Sequence, residues 1–163
     1  MKGLFVDTAG WMACADQADP AHKCACKARD AALEQGEVLV TTDYVVDETL
    51  TLLRKRLGLA AAEAWWKQVE GSSRLRWEWI DIARAEKARS LFFRYRDKDY
   101  SFTDCTSFVV MQELRLKQSL TTDDHFRQMG FRILPDRDAK TKSQPQPVRR
   151  PRNPPRRPEG RRT

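Results

Sequence analysis

Short apolar runs alternate with longer segments of helical periodicity over the first 136 residues. Residues 3–7 (GLFVD) are apolar on both faces, which is typical of a central parallel strand covered by helices. Residues 75–81 (LRWEWID) alternate in polarity, which predicts a strand nearer the sheet edge. The pattern predicts further strands at 37–41, 118–121 and 131–134, and helices at 8–17, 20–35, 42–57, 59–70, 82–96, 102–117 and 124–129. This alternation predicts an α/β/α sandwich with a mostly parallel central sheet.

Four carboxylates interrupt the apolar pattern. Asp7 closes a strand, Glu48 lies within an apolar helix, Asp104 opens another helix and Asp123 follows a strand. Burying an isolated carboxylate is unfavourable by several kcal/mol unless a partner or a cation compensates. Because sites in open α/β sheets form outside the carboxyl ends of the strands, we expect these acids to converge there. Together they predict a Mg²⁺ or Mn²⁺ site.

Each acid taken alone also has a structural interpretation. Ser101 and Asp104 form an S-x-x-D capping box before an apolar helix. Asp7 and Asp123 are each placed to cap the helix that follows them. Capping cannot explain Glu48 in the middle of a helix, although a buried arginine could pair with it. The set of four acids, more than any one member, therefore indicates a metal site.

Other polar residues near these acids are assigned to the surface or to supporting positions. Neighbouring acids predicted to point away from the site are Asp43, Asp47, Asp81 and Asp124. His22 and His125 are interpreted as surface or capping residues. The spacing His22-x-Cys24-x-Cys26 matches none of the usual zinc sites and would spread its ligands around a helix. Zinc is therefore not predicted, and the four cysteines are expected to be reduced thiols.

The last 27 residues differ in composition from the rest of the chain. Residues 137–163 contain ten Lys or Arg against two acids, and six of the eight prolines. They account for the net charge of +7 and leave residues 1–136 at about −1. A segment with so few large apolar residues cannot offset its ordering entropy. We therefore predict one folded domain at 1–136 and a disordered basic tail at 137–163.

The tail has two interpretations, a solubilising segment or a segment that binds RNA phosphates. The arginines considered for phosphate contacts are Arg149, Arg150, Arg152, Arg156 and Arg157. No run in the chain approaches the roughly 20 apolar residues needed to span a bilayer. The N-terminus MKGLFVDTAG also lacks the pattern of a signal peptide. We therefore expect a cytoplasmic protein.

Four sequence motifs carry the acids. They are FVDTAGWMA at 5–13, TTDYVVDETLTLL at 41–53, YSFTDCTSFVVM at 100–111 and LTTDDHFRQMGFRIL at 120–134. Together they resemble the acid-bearing motifs of PIN-domain ribonucleases, and most of all the toxin subunits of VapBC-type toxin-antitoxin pairs. The resemblance covers residues 1–135 and leaves the basic tail outside it. It implies endonucleolytic cleavage of RNA, a homodimer and capture by a cognate antitoxin.

The resemblance also implies roles for individual residues. Its metal-site acids fall on Asp7, Glu48, Asp104 and Asp123, and its hydroxyl residues near the metal fall on Thr8, Thr103 and Thr121. Hard divalent cations prefer oxygen ligands, which favours Mg²⁺ or Mn²⁺ over zinc. The three aspartates would then bind the cation directly or through water, and the glutamate would either bind it or orient the attacking water.

Two alternatives to a nuclease remain. One is a doubly wound phosphatase with Asp7 as nucleophile, although the second acid expected two residues later is Ala9 here. The other is a non-catalytic RNA-binding module of the same fold. Four intact acids disfavour that module, because binding alone does not require negative charges facing an anionic ligand.

Overall fold

The computed structural model describes residues 2–136. Its strands are β1 (Gly3–Val6), β2 (Val38–Thr42), β3 (Leu75–Glu78), β4 (Gln118–Leu120) and β5 (Arg132–Leu134). Its helices are α1 (Thr8–Ala15), α2 (His22–Glu34), α3 (Asp43–Arg56), α4 (Leu59–Glu70), α5 (Ile82–Arg94), α6 (Phe102–Glu113) and α7 (Asp124–Gln128). The predicted tail at 137–163 lies outside the described residues, so its disorder and its RNA binding stay predictions.

The five strands form one sheet in the order β3-β2-β1-β4-β5, and all four neighbouring pairs are parallel. The predicted fold class is therefore confirmed. All four residues of β1 are buried, as expected for a central strand covered on both faces. β3 is an edge strand of mixed burial, as its alternating sequence predicted. None of the described helices is both long enough and apolar enough to cross a membrane.

Several predicted boundaries shift, and three of these shifts have a clear local reason. α2 begins at His22 instead of residue 20, because the Asp19 side chain accepts a hydrogen bond from the Ala21 N–H (2.7 Å) and forms a turn first. α6 ends at Glu113 because Arg115 adopts a left-handed backbone conformation, with φ of 55°. β3 ends at Glu78, three residues earlier than predicted, because the following residues turn to enter α5.

The tryptophans divide between core and surface. Trp65 is buried and packs edge-on against Trp11, with ring centroids 5.5 Å apart. Trp66 and Trp77 are partly buried, and Trp79 at the edge of the sheet is 66% exposed. Trp79 is exposed because it follows the end of β3, in the segment that leads to α5.

The strand order places the site. The chain adds β2 and β3 on one side of β1, and then β4 and β5 on the other side. β1 and β4 are therefore neighbours at the topological switch point, where the carboxyl ends of the strands open onto a crevice. A Cβ atom on Gly10 would lie 2.1 Å from the Leu120 carbonyl oxygen. The glycine thus lets the start of α1 approach the end of β4.

Candidate active site

Asp7 lies at the carboxyl end of β1 and is 4% exposed. Its side chain caps α1 by accepting a hydrogen bond from the Ala9 N–H at 3.4 Å. The Thr121 hydroxyl, just beyond β4, donates a second hydrogen bond to Asp7 Oδ2 at 3.0 Å. The Asp7 N–H bonds to the Leu120 carbonyl at 3.2 Å, so the ends of both strands are joined. Capping and site formation therefore coexist in one residue.

Asp104 and Asp123 are held by the first turns of their helices. Asp104 is 6% exposed and forms the predicted capping box with Ser101, through hydrogen bonds of 2.8 and 3.0 Å. Asp123 caps α7 and accepts a hydrogen bond from the His125 N–H at 2.9 Å. The Thr121 hydroxyl accepts a hydrogen bond from the Asp123 N–H at 3.0 Å, so it links Asp123 to the strand end at β1. Both carboxylates are thereby fixed toward the same crevice.

Glu48 enters the site from the middle of α3. It is half-buried and accepts a hydrogen bond from the Thr8 hydroxyl at 2.8 Å. Thr8 follows Asp7 directly, so the start of α1 orients both acids. Asp7, Glu48, Asp104 and Asp123 line one cavity of about 360 Å³. The structure therefore brings together the four acids that the sequence singled out.

One residue departs from the sequence-based assignments. His125, interpreted as a surface or capping residue, places Nδ1 3.1 Å from Asp104 Oδ2 and 3.3 Å from Asp123 Oδ2. These three side chains offer ligand atoms within 4.8 Å of one another. The signal that could have located His125 is its position in the first turn of a helix capped by a site acid.

Thr103 was expected near the metal, and that expectation stays a prediction. Its carbonyl oxygen accepts hydrogen bonds from the Thr106 and Ser107 hydroxyls at 2.8 Å, and Thr103 is not among the described residues that line the cavity. One residue along a helix corresponds to a rotation of roughly 100°, so Thr103 and Asp104 lie on different faces of α6. Thr122 lines the cavity instead.

The two buried aspartates have raised pKa values. Burial is the main cause at Asp7, and the nearby Asp104 charge adds to it, which raises the pKa of Asp7 to about 7. Burial likewise raises the pKa of Asp104, against the opposing hydrogen bonds from Ser101 and His125. No Lys or Arg within residues 2–136 forms an ion pair with any of the four acids. The cluster is therefore suited to a bound cation.

The chemistry of the donor groups fits a divalent metal. The cavity presents carboxylate oxygens from four separate segments, and hard cations prefer such ligands. The group of His22, Cys24 and Cys26 is a weaker candidate for a metal. His22 Nδ1, when it carries the proton, donates a hydrogen bond to the Ala13 carbonyl at 2.9 Å. All four cysteines are free thiols, as predicted. The acid cavity is thus where a cofactor ion fits.

Comparisons with known proteins agree with this geometry. The PIN domain family model matches residues 4–132. The chain is 32% identical to the 23S rRNA-specific endonuclease VapC20 of Mycobacterium tuberculosis over 128 residues, which are 78% of this chain and 95% of that protein. It is 28% identical to Ribonuclease VapC26 of the same species over 141 residues, 81% of this chain and 100% of that protein.

A solved structure gives the same result. The crystal structure of Mycobacterium tuberculosis VapC20, described as a sarcin-ricin loop cleaving toxin, superposes with a TM-score of 0.71 at 32% identity. The match covers 79% of this chain and 96% of that one. The extent of the family match, the identity and the shared fold lead to one conclusion. The chain belongs to the PIN-domain family.

Proposed function

We propose that this protein is a metal-dependent endoribonuclease and the toxin of a type II toxin-antitoxin pair. The observation that carries the proposal is the convergence of four acids from separate segments on one cavity, without a Lys or Arg ion pair to any of them among residues 2–136. The names of the relatives supply the substrate class, because they are an rRNA-specific endonuclease and a ribonuclease. A non-catalytic RNA-binding module is the alternative.

The cation would be held by Asp7, Asp104 and Asp123, and we assign it as Mg²⁺ or Mn²⁺ on the oxygen character of these ligands. When bound, such an ion lowers the pKa of a coordinated water and neutralises charge on the scissile phosphate. His125 Nδ1 lies against two of these acids and helps to orient them. The low exposure of Asp7 and Asp104 strengthens the attraction between their carboxylates and a cation.

Glu48 has a different role from the three aspartates. Its Oε2 is occupied by the hydrogen bond from Thr8, which leaves Oε1 to accept a hydrogen bond from the attacking water. Thr8 thus sets the orientation of the carboxylate. The Thr121 hydroxyl likewise orients the Asp7 carboxylate. These residues together orient a water molecule toward an RNA phosphate for in-line hydrolysis.

The proposed partners are RNA, a cognate antitoxin and a second copy of this chain. The apolar surplus in α3 and α4 motivates the dimer, since Tyr44, Leu57 and Leu59 are large apolar residues exposed on or beside these helices. A monomeric mass by light scattering at tens of micromolar would count against the dimer. The cytoplasmic location stays a prediction from the sequence.

The proposal is tested with the purified full chain and total bacterial RNA in Mn²⁺ or Mg²⁺. We expect discrete cleavage products whose 5′ ends map to defined positions, and their loss in EDTA. Asp7→Asn should lower the cleavage rate at least 100-fold, because it removes a charge that the cation needs. Glu48→Gln should lower the cleavage rate to a similar extent, because it removes the carboxylate proposed to orient the attacking water.

Asp47→Asn is the matched control, because Asp47 is an exposed acid beside Glu48 on the same helix and does not line the cavity. It should cleave at the wild-type rate. RNA binding without cleavage by the wild-type chain would support the non-catalytic alternative. Wild-type activity in Asp7→Asn would refute the site assignment.

A further inference from the structure

One face of α3 continues from the acid cluster to the rim of the cavity. Glu48, Leu52 and Arg56 follow one another at intervals of four residues, and all three line the cavity. This spacing places them on one helix face. A rise of 1.5 Å per residue separates the first and last Cα atoms by about 12 Å. The face therefore joins an acidic end to a basic end.

Arg56 is distinctive among the residues of this cavity. It is the only Lys or Arg among the described residues that line it, and it is exposed. No ion pair between described residues involves Arg56, although Asp19 and Asp99 line the same cavity. A guanidinium without an ion-pair partner among the described residues can use its N–H donors to bind a ligand. Its planar fork of donors matches the oxygens of a phosphate.

The stretch between the acids and Arg56 is apolar. Leu52 lies between Glu48 and Arg56 on this face of α3, and Met12 from α1 lines the same cavity. Met12 is buried and Leu52 is half-buried, so their positions are fixed by packing. Apolar side chains between two polar ends suit a nucleoside, whose base and ribose carry apolar surface between charged phosphates. The cavity volume of about 360 Å³ lies in the range of small-ligand sites.

We propose that this face of α3 forms a nucleotide subsite, in which Arg56 binds the RNA phosphate next to the scissile one and Leu52 with Met12 contacts the intervening nucleoside. The proposal rests on the proposed ribonuclease function and adds to it the way in which the substrate strand is positioned. Arg56 is a positioning residue in this scheme, because it holds a neighbouring phosphate and does not touch the reacting atoms.

The experiment uses the full chain and a short RNA that spans a cut mapped in total RNA. Arg56→Gln should raise KM about 10- to 100-fold and leave kcat within about threefold, because the lost charge-assisted contact lies outside the reaction centre. The slope of log KM against the logarithm of the salt concentration should decrease by about 0.7, which is the value for one phosphate contact on a single strand. Arg56→Lys should recover part of the loss, since charge returns without the fork.

Arg54→Gln is the matched control. Arg54 is an exposed arginine on the same helical turn, and it does not line the cavity. It removes the same charge from the chain, so any general electrostatic effect on RNA binding appears in both variants. We expect its KM to stay within about twofold of the wild-type value. A tenfold KM difference between the two variants would locate the effect at the cavity.

A modified substrate identifies the contact directly. A neutral methylphosphonate is placed in turn at each phosphate flanking the scissile one. At one position it should raise KM for the wild type and have no further effect in Arg56→Gln, as expected for two changes that remove one interaction. Equal losses in both proteins at every position would overturn the subsite.

The two proposals fail differently in this experiment. If the wild type cleaves and Asp7→Asn does not, but Arg56→Gln matches Arg54→Gln, the ribonuclease stands and the subsite is wrong. If Arg56→Gln lowers kcat with KM unchanged, Arg56 acts at the reaction centre and the positioning role is wrong. If the wild type cleaves no RNA, the proposed function and the subsite fail together.

Discussion

Two strands of the same sheet end at or next to a buried carboxylate, and the two carboxylates differ in whether an arginine pairs with them. Asp7 follows β1 and Glu78 ends β3, with exposures of 4% and 6%. Glu78 pairs with Arg84 at 2.8 Å and also contacts Arg76. Asp7 forms no ion pair with a Lys or Arg within residues 2–136, and the charge of Asp104 is close enough to raise its pKa.

The β3 end is part of a paired network. Arg84 also binds Glu113 at 2.9 Å and donates to the Trp79 carbonyl at 2.8 Å, and Lys87 binds Glu113 at 2.7 Å. Hydrogen bonds from Lys87 and Arg84 lower the pKa of Glu113, against its partial burial. These contacts tie β3, α5 and α6 together. The carboxylates here are satisfied by the chain itself.

The comparison shows that this chain can neutralise a buried acid with arginine where an acid is structural. At the β1 end residues 2–136 supply no such partner, and burial, together with the nearby Asp104 charge, raises the pKa of Asp7 to about 7. Such unpaired buried acids reduce stability in the absence of a ligand. The difference indicates that no Lys or Arg of residues 2–136 neutralises the acid at the β1 end, as expected if the proposed cation binds there.

The largest expected effect concerns the pH dependence of metal-free stability. Asp7 has a folded pKa of about 7, above its unfolded value near 3.9, so the folded state binds more protons between these values. Its contribution is full below about pH 4, decreases as pH rises toward 7 and is constant above. Asp7→Asn removes this pH dependence. The free energy of unfolding of the variant, relative to that of the wild type, should therefore rise by at most about 4 kcal/mol from pH 4 to pH 8.

Denaturant unfolding of both proteins in EDTA across this pH range measures the difference, and the titrating groups that do not interact with Asp7 cancel between them. Glu78→Gln supplies the contrast, because its carboxylate is already paired and its removal should not produce a gain at pH 8. A difference between Asp7→Asn and wild type that does not change with pH would contradict the burial explanation.

The second expected effect is stabilisation by metal. A cation that binds only the folded site stabilises it by about 2.7 kcal/mol at a hundredfold excess over Kd. The melting temperature of the full chain should therefore rise by about 5–10 °C in Mn²⁺. The rise should disappear when Asp7, Asp104 and Asp123 are all replaced by alanine, and should persist in Glu78→Gln. An undiminished rise in the triple variant would place the ion elsewhere.

The smallest expected effect is the loss of the paired network. Glu78→Gln should lower the free energy of unfolding by about 1–3 kcal/mol at pH 7, because Arg84 loses one buried charged partner but keeps Glu113. The turnover rate on RNA should remain unchanged, since Glu78 does not line the cavity. Unfolding and cleavage measured on the same preparation test both statements. A large loss of turnover would mean that the two carboxylates are not independent.

Local sequence patterns determined much of this protein. Apolar patterning predicted all twelve elements between residues 2 and 136, because helices repeat every 3.6 residues and strands either alternate or, when covered on both faces, are apolar throughout. Capping chemistry predicted the Ser101–Asp104 box, since it depends on residues three positions apart. The four acids were found because a charge in an apolar segment is a local signal.

Tertiary structure alone decided which side chains meet. Thr121 binds Asp7 across 114 positions of sequence, and the switch in strand order brings them together. Only the packed structure shows that His125 contacts Asp104 and Asp123. It also shows that Thr103 is not among the described residues that line the cavity. Local patterns encode the neighbours of a residue along its own helix or strand. They cannot encode distances between elements, because those distances follow from how the whole core packs.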